Sequence, residues 1–345
     1  MTRIDDVARR AGVSTATVSR ALRGLPVVSE ETRARVMAAA SALGYVASPH
    51  AARLASGRTG SIGVVVPRIT RWFFATVVDA AEEVLYQAGW DLLLFNLNGH
   101  EQTKRRLLRT HALQKRVDAV ILVATPLSDE DFADVVGLRL PGVTVSSGTP
   151  VPGWPSFRID DVAAARTATE HLIGLGHTRI AHITGDPNDE LAFTTPIDRY
   201  QGYESAMRGA GLAVDPALYR AGRFTVSGGE ELTRSLLAAN VRRPTAIFAA
   251  CDEMAMGALR AIKEAGLRVP HDISVVGIDD HDLSAAVGLS TVAQPAARQA
   301  QCAAATLLRA LELGRQEPTD ELVLPTHLVV RDSTAPPKPR QRSRS

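Results

Sequence analysis

From Ser61 onward the sequence is a succession of short, unbroken apolar runs: SIGVVV, WDLLLF, DAVILV and GVTVS, then RIAHIT, PTAIFAA and ISVVGI. Amphipathic helical stretches such as Phe74 to Ala88 and Val162 to Leu175 separate them. Strands that are apolar on both faces must be covered on both faces, and strands alternating with helices build parallel sheets. Roughly ten such strands in roughly 260 residues exceed one doubly wound sheet, so two similar α/β lobes are expected. No run approaches the roughly 18 apolar residues that span a bilayer, and the start, MTRIDDVARR, lacks a secretory apolar core. A cytoplasmic location is therefore expected. The two cysteines, Cys251 and Cys302, lie far apart without metal-ligand spacing, so no disulfide framework, metal site or cofactor is expected.

The first 60 residues follow a different pattern. Thr2 with Asp5 has the spacing of a capping box, ahead of a helix from Ile4 to Ala11 that ends at Gly12. Ser14 is placed to cap a second helix through Leu22, and Ser29 followed by Glu30 and Glu31 to start a third that runs to about Leu43. Residues 1–59 carry nine Arg against four acidic residues, and the tail after Thr334 adds four cations and no acid. The overall net charge of +2 thus leaves residues 60–334 at −7, a basic head on an acidic body. Phosphate neutralisation needs such a head, although an Arg-rich proteome would also produce it.

The string DVARRAGVSTATVSRAL packs helix, tight turn and helix into 17 residues. Val7, Ala8 and Ala11 share one face of the first helix, Val18 and Leu22 one face of the second, and small residues let the two cross closely. The second helix then offers Thr15, Ala16, Thr17, Ser19 and Arg20 outward. Short polar residues at a helix N-terminus approach base edges, and an arginine reaches a guanine or a phosphate. The spacing alone also fits an ordinary helical hairpin with a solvated face.

The same segment resembles the headpiece of the LacI/GalR family, in which DVA, AGVS and TVSR recur at this spacing. The resemblance implies a DNA-binding transcriptional regulator, a repressor, that binds a palindromic operator as a homodimer. It places Thr15 and Ala16 at the main base-reading positions, with Ser14, Thr17, Ser19 and Arg20 as supporting contacts. Ala16 has no side-chain hydrogen bond to offer, which leaves it apolar contact with a thymine methyl. GYVASPHAARLASGRTG resembles the family's hinge helix, and Leu54 matches the leucine that wedges into the minor groove. The expected order is a helix-turn-helix headpiece over 1–46 and a hinge over 47–59. An effector-binding and dimerisation domain follows over 60–331, then a disordered basic tail over 332–345. Within the large domain the N-lobe is expected over 60–158 and 290–320 and the C-lobe over 159–289 and 321–331. No apolar heptads follow Val330, so a tetramerising helix is not expected.

The resemblance extends through TEHLIGLGHTRIAHITGD, DRYQGYESAM, CDEMAMGALRAI and ISVVGIDD. It implies a two-lobed, periplasmic-binding-protein-like domain with parallel sheets and a sugar-like effector in its cleft. Ligands of open α/β sheets sit beyond the carboxyl ends of strands, where Pro67, Ser146, Cys251 and Asp279 fall here. By family position Arg199 and Asp279 are the leading effector contacts, with Phe73, Phe74, Ser146, Phe224, Cys251 and Gln294 around them. Asp252 reads as a helix N-cap, and His171 and His177 as structural. Ser146 and Cys251 replace the Asp and Asn of many sugar-responsive members, which points to a smaller or less polar effector. The alternative is a regulator whose sensing domain no longer binds a ligand. Motifs for enzymatic chemistry are missing: there is no nucleophile elbow, phosphate loop or dinucleotide fingerprint.

Overall fold

The computed structural model describes residues 3–22, 26–45, 58–109, 112–148, 150–239, 242–315 and 321–338. The chain forms two units, one of residues 1–60 with Lys115–Asp118 and one of Ser61–Gln114 with Ala119–Ser345. The expected hinge, with Leu54, lies outside the described residues.

In the first unit three helices, α1 (Ile4–Ala11), α2 (Thr15–Leu22) and α3 (Glu30–Ala42), enclose a core in which Val7, Val18 and Val36 are fully buried. The α1 start differs from expectation, because the N-cap is Arg3 and its backbone N–H donates to Asp6 at 3.0 Å. Gly12 ends α1 at φ 66°, in the left-handed region that costs an L side chain about 1 kcal/mol or more. Ser29 caps α3 by accepting from Thr32 N at 3.3 Å.

The second unit holds two six-stranded sheets. The N-lobe sheet contains β1 (Ser61–Val66), β2 (Asp91–Asn96), β3 (Ala119–Val123), β4 (Gly142–Val145), β5 (Ser156–Arg158) and β11 (Leu322–Val323), in the order β11-β5-β4-β3-β1-β2. All its pairs are parallel, with Val64 opposite Leu94 and Ile121. Helices α4 (Trp72–Gln87), α5 (Glu101–Arg109), α6 (Asp129–Gly137) and α11 (Ala296–Leu313) belong to this lobe. The C-lobe sheet runs β12-β10-β9-β8-β6-β7, from β6 (Ile180–Gly185), β7 (Tyr219–Gly222), β8 (Ala246–Ala249), β9 (Ser274–Asp279), β10 (Ser290–Ala293) and β12 (His327–Val329). Its helices are α7 (Asp161–Gly174), α8 (Thr195–Gly209), α9 (Val226–Ala238) and α10 (Asp252–Glu264).

The two lobes carry parallel sheets as expected, with one antiparallel edge strand, β12, beside β10. Two expectations are corrected. The lobe boundaries cross over: β10 lies in the C-lobe although 290–320 was expected in the N-lobe, and β11 lies in the N-lobe although 321–331 was expected in the C-lobe. Residues 332–338 of the expected disordered tail are tied to the C-lobe. Ser333 Oγ donates to Val275 O at 2.6 Å and accepts from Ser290 N at 2.7 Å, and Ala335 O accepts from His177 Nε2 at 2.9 Å. His171 Nε2 meets Thr334 Oγ1 at 3.0 Å, so both histidines have the structural role expected of them. Among the described residues no helix is long and apolar enough to cross a membrane.

Candidate functional site

In the first unit the candidate surface is the start of α2. Ser14 Oγ accepts from Thr17 N at 3.2 Å and lies 2.9 Å from Thr17 Oγ1, which satisfies an otherwise orphaned donor of the first turn. Ser14, Thr15, Ala16 and Arg20 are exposed. Thr17 and Ser19 were expected to point outward and are half-buried instead, and Thr17 is engaged in the cap. The positive end of a capped helix that displays a small hydroxyl, a methyl and a guanidinium suits a groove of a nucleic acid.

In the second unit the candidate site lies at the carboxyl ends of both sheets. Gln294 stands in the crossover between β10 and α11 and donates from Nε2 to Asp279 Oδ1 at 2.6 Å. Gln299, one turn into α11 and fully buried, donates from Nε2 to Gln294 Oε1 at 3.3 Å. Its own Oε1 accepts from Ser146 Oγ at 2.8 Å. An amide has one donor end and one acceptor end, so the Ser146 hydroxyl orients Gln299, which orients Gln294, which turns an N–H toward Asp279. The chain of bonds thus joins the end of β4 in the N-lobe to the end of β9 in the C-lobe. Both termini are strained: Ser146 has φ 49° and Asp279 φ 139°. Each such residue costs on the order of 1–3 kcal/mol and persists only where its surroundings hold it.

Asp279 is only 6 % exposed, and burial pushes its carboxyl up to about 8, against the opposing pull of the Arg199 charge. The side chain is therefore mainly neutral near pH 7 and keeps a hydroxyl to donate. The folded chain holds a proton that the unfolded chain, with an ordinary carboxyl near ~3.9, releases. This contribution to stability is full below about pH 4 and is lost as pH rises through about 8. Between pH 5 and 8 the melting temperature of the wild type is expected to fall more steeply than that of Asp279→Asn. Parallel slopes in a pH series of thermal melts would show that Asp279 is ionised throughout.

Arg199 does not bond to Asp279 as a bidentate partner. Its Nε and Nη2 hold Asp161 Oδ1 at 2.8 and 2.7 Å, and Nη1 donates to Ala250 O. Cys251 follows that carbonyl as the N-cap of α10, and burial pushes its thiol up. Asp252 is not the cap. It is fully buried and accepts from Ser284 Oγ at 2.6 Å, Thr291 Oγ1 at 2.7 Å and His281 N at 3.0 Å. Phe224 lies over the end of β6, where a Cβ on Gly185 would come within 2.0 Å of its ring. Phe73 and Phe74 meet edge to face at 5.6 Å and pack half-buried on the N-lobe core.

Gln299 and Trp72 are the candidate site residues that sequence reasoning missed. The Trp72 ring lies 5.3 Å from that of His281 across the lobes, and its buried indole nitrogen has no hydrogen-bond partner among the described residues. Beside it Arg71 Nη1 reaches Glu253 Oε1 at 3.5 Å, also from lobe to lobe. Among the described residues no cluster of His, Cys, Asp or Glu is arranged to hold a metal ion.

A family model described as bacterial regulatory proteins, lacI family, matches residues 3–48, and one described as a periplasmic binding protein-like domain matches 169–334. The chain is 34% identical over 341 residues to the HTH-type transcriptional regulator DegA of Bacillus subtilis (strain 168), which covers 97% of this chain and 98% of the relative. It belongs to the LacI family. Other LacI-family relatives include the ribose operon repressor of Escherichia coli (strain K12), 37% identical over 305 residues, with 86% of this chain and 88% of the relative covered. Among solved structures, the lac repressor dimer bound to operator and the anti-inducer ONPF superposes with a TM-score of 0.82 at 31% identity, covering 97% of this chain and 99% of that one. A LacI-family regulator from Enterococcus faecium with bound ribose superposes with a TM-score of 0.70 at 28% identity, covering 80% of this chain and 99% of that one.

Proposed function

We propose that the chain is a sequence-specific transcriptional repressor that binds a palindromic operator as a homodimer and is controlled by a small sugar-like molecule between its lobes. The observation that carries this reading is the capped start of α2, with Thr15, Ala16 and Arg20 exposed, in a chain of the LacI family. Thr15 and Arg20 read bases or phosphates, Ala16 touches a thymine methyl, and Ser14, Thr17 and Ser19 set the helix on the backbone. Leu54 wedges the operator centre. The chain acts in the cytoplasm on the nucleoid and carries no catalytic step.

In the second unit Asp279, Gln294, Ser146 and Trp72 offer hydrogen bonds to an effector, Arg199 and Cys251 shape the C-lobe wall, and Phe73, Phe74 and Phe224 supply apolar faces. A neutral Asp279 and the commitment of all three guanidinium nitrogens of Arg199 favour an uncharged, hydroxyl-bearing ligand over an anion. The ribose bound by the Enterococcus neighbour is of that class. A regulator without an effector is the second reading, favoured by the bonds that Ser146, Gln294 and Asp279 already make within the protein. Thermal-shift screening against pentoses, hexoses and polyols separates the two, since an effector-free regulator gains no stability from any of them.

Genome-wide mapping of bound sites tests the operator reading, with a recurring palindrome expected under the peaks. Thr15→Ala is expected to weaken binding to that palindrome by about 1–3 kcal/mol, or roughly 5- to 150-fold, while leaving random duplex affinity nearly unchanged. Equal losses on both duplexes in a gel-shift titration would remove Thr15 from base reading.

A further inference from the structure

Helix α4 starts in the N-lobe without a cap from its own sequence. Arg71 is its N-cap residue, with no side-chain capping bond, and the first bond of the helix runs from Ala75 N to Arg71 O at 3.0 Å. The N–H groups of Trp72, Phe73 and Phe74 therefore have no partner within the helix. The group that answers them comes from the other lobe. Glu253, the second residue of α10, meets Arg71 Nη1 at 3.5 Å with 16 % of its side chain exposed. Burial raises its carboxyl above the ordinary value, while the Arg71 charge and the backbone N–H of Trp72 pull it back down. Both groups that hold this carboxylate belong to the N-lobe, and an anion at that place also faces the positive end of the α4 dipole.

The residue before it serves its own lobe. Asp252 accepts from Ser284 Oγ, Thr291 Oγ1 and His281 N, and the His281 ring so placed lies against the Trp72 ring, tilted by 30°. One corner of the C-lobe thus grips Trp72 twice, at its backbone through Glu253 and at its ring through His281. Strand β1, which leads to Trp72, stands three places from β5 in the sheet order, away from the crossing at Arg158–Asp161, so a contact there has leverage on rotation between the lobes. A second cross-lobe pair, His100 Nδ1 and Glu190 Oε2 at 3.6 Å, is 62 and 65 % exposed, and water screens it far more than the Glu253 contact.

We propose that Glu253 is a positioning residue: by capping α4 from the opposite lobe, it sets the balance between the closed and the open cleft. A cap within one helix stabilises that helix wherever its lobe stands. A cap supplied across the cleft exists only while the lobes are together, so its whole contribution falls on the closed arrangement. The apparent affinity of any molecule that needs the closed cleft then scales with the fraction of chains that Glu253 keeps closed.

The test uses residue-resolved hydrogen exchange and small-angle X-ray scattering on the full chain, with no small molecule added. Glu253→Lys sets a cation against Arg71 and against the positive end of α4. The amides of the first turn of α4, in the lobe that carries no substitution, are expected to exchange roughly 5- to 30-fold faster, the range of a lost cap. The radius of gyration is expected to rise in the same variant. Glu253→Gln keeps an oxygen that can accept from the Trp72 N–H, so both changes should be smaller and of the same sign. Thermal melts check that each variant is folded, and if Glu253→Lys is not, Arg71→Gln and Glu253→Gln carry the same expectations. Faster exchange confined to α10, with the first turn of α4 unchanged, overturns the proposal. Faster exchange in α4 at an unchanged radius of gyration also overturns it, since Glu253 would then be a local cap that leaves the lobes in place. No effector enters the test, so its outcome is independent of the sugar screen that judges the cleft as an effector site.

Discussion

Arg199→Met is expected to destabilise the second unit by about 3–5 kcal/mol, because it strands Asp161 and the Ala250 carbonyl without their guanidinium partner. Arg199 is 5% exposed, so solvent does little to screen the loss. At roughly 2–4 °C per kcal/mol the melting temperature should fall on the order of 10 °C. The double variant Arg199→Met/Asp161→Leu is expected to recover part of that loss, since replacing both members of a buried pair by apolar groups costs far less than removing one. A double variant no more stable than the single one would mean that Arg199 acts through packing alone. A single variant within about 1 kcal/mol of wild type in denaturant titrations would place the pair in water.

Asp252→Ala is expected to cost about 3 kcal/mol or more, although the residue reaches no surface. It leaves two hydroxyls and a backbone N–H without an acceptor, each worth roughly 1–3 kcal/mol when buried and unpaired. No larger side chain fills the space, because Gly277 lies directly beneath: a Cβ there would sit 2.0 Å from Asp252 Oδ1. The three donors come from β10 and from the loop after β9, so Asp252 fastens the strand end that carries Asp279. A weakened response to any effector is therefore expected at temperatures where the variant remains folded. Calorimetry of Asp252→Ala beside Asp252→Asn checks this, with the amide variant also destabilised because its NH2 group faces a donor. A loss under 1 kcal/mol in both would show that water reaches the site.

The headpiece was legible because its signals are local. Gly12, Ser14 and Ser29 specify turns and caps within three or four residues, and each stands where the pattern put it. The order of the lobes was legible because buried parallel strands are continuous apolar runs. β5, β7, β10, β11 and β12 were not, being two to four residues long without an apolar run, so that only their neighbours in space make them strands. Asp252 has the local pattern of an N-cap, and tertiary neighbours claimed its oxygens instead. Gln299 carried one faint signal, a long polar side chain in the alanine-rich start of α11, but its partners are 5 and 153 positions away. Thr17 was misplaced because a hydroxyl that can face a groove can also close its own cap.

The backbone passes between the lobes at three places, between Arg158 and Asp161, between Ala293 and Ala296, and between Val323 and His327. Each passage is a few residues long, and together they act as a strap hinge with three leaves. Short tethers side by side resist sliding and separation, and they leave rotation about the line through them as the soft motion. An effector in the cleft has that one coordinate to push on. Gln294 occupies the middle leaf, so the bond it makes to Asp279 lies close to the axis, where a few degrees of turning shift hydrogen-bond partners little while the distant rims of the lobes swing furthest.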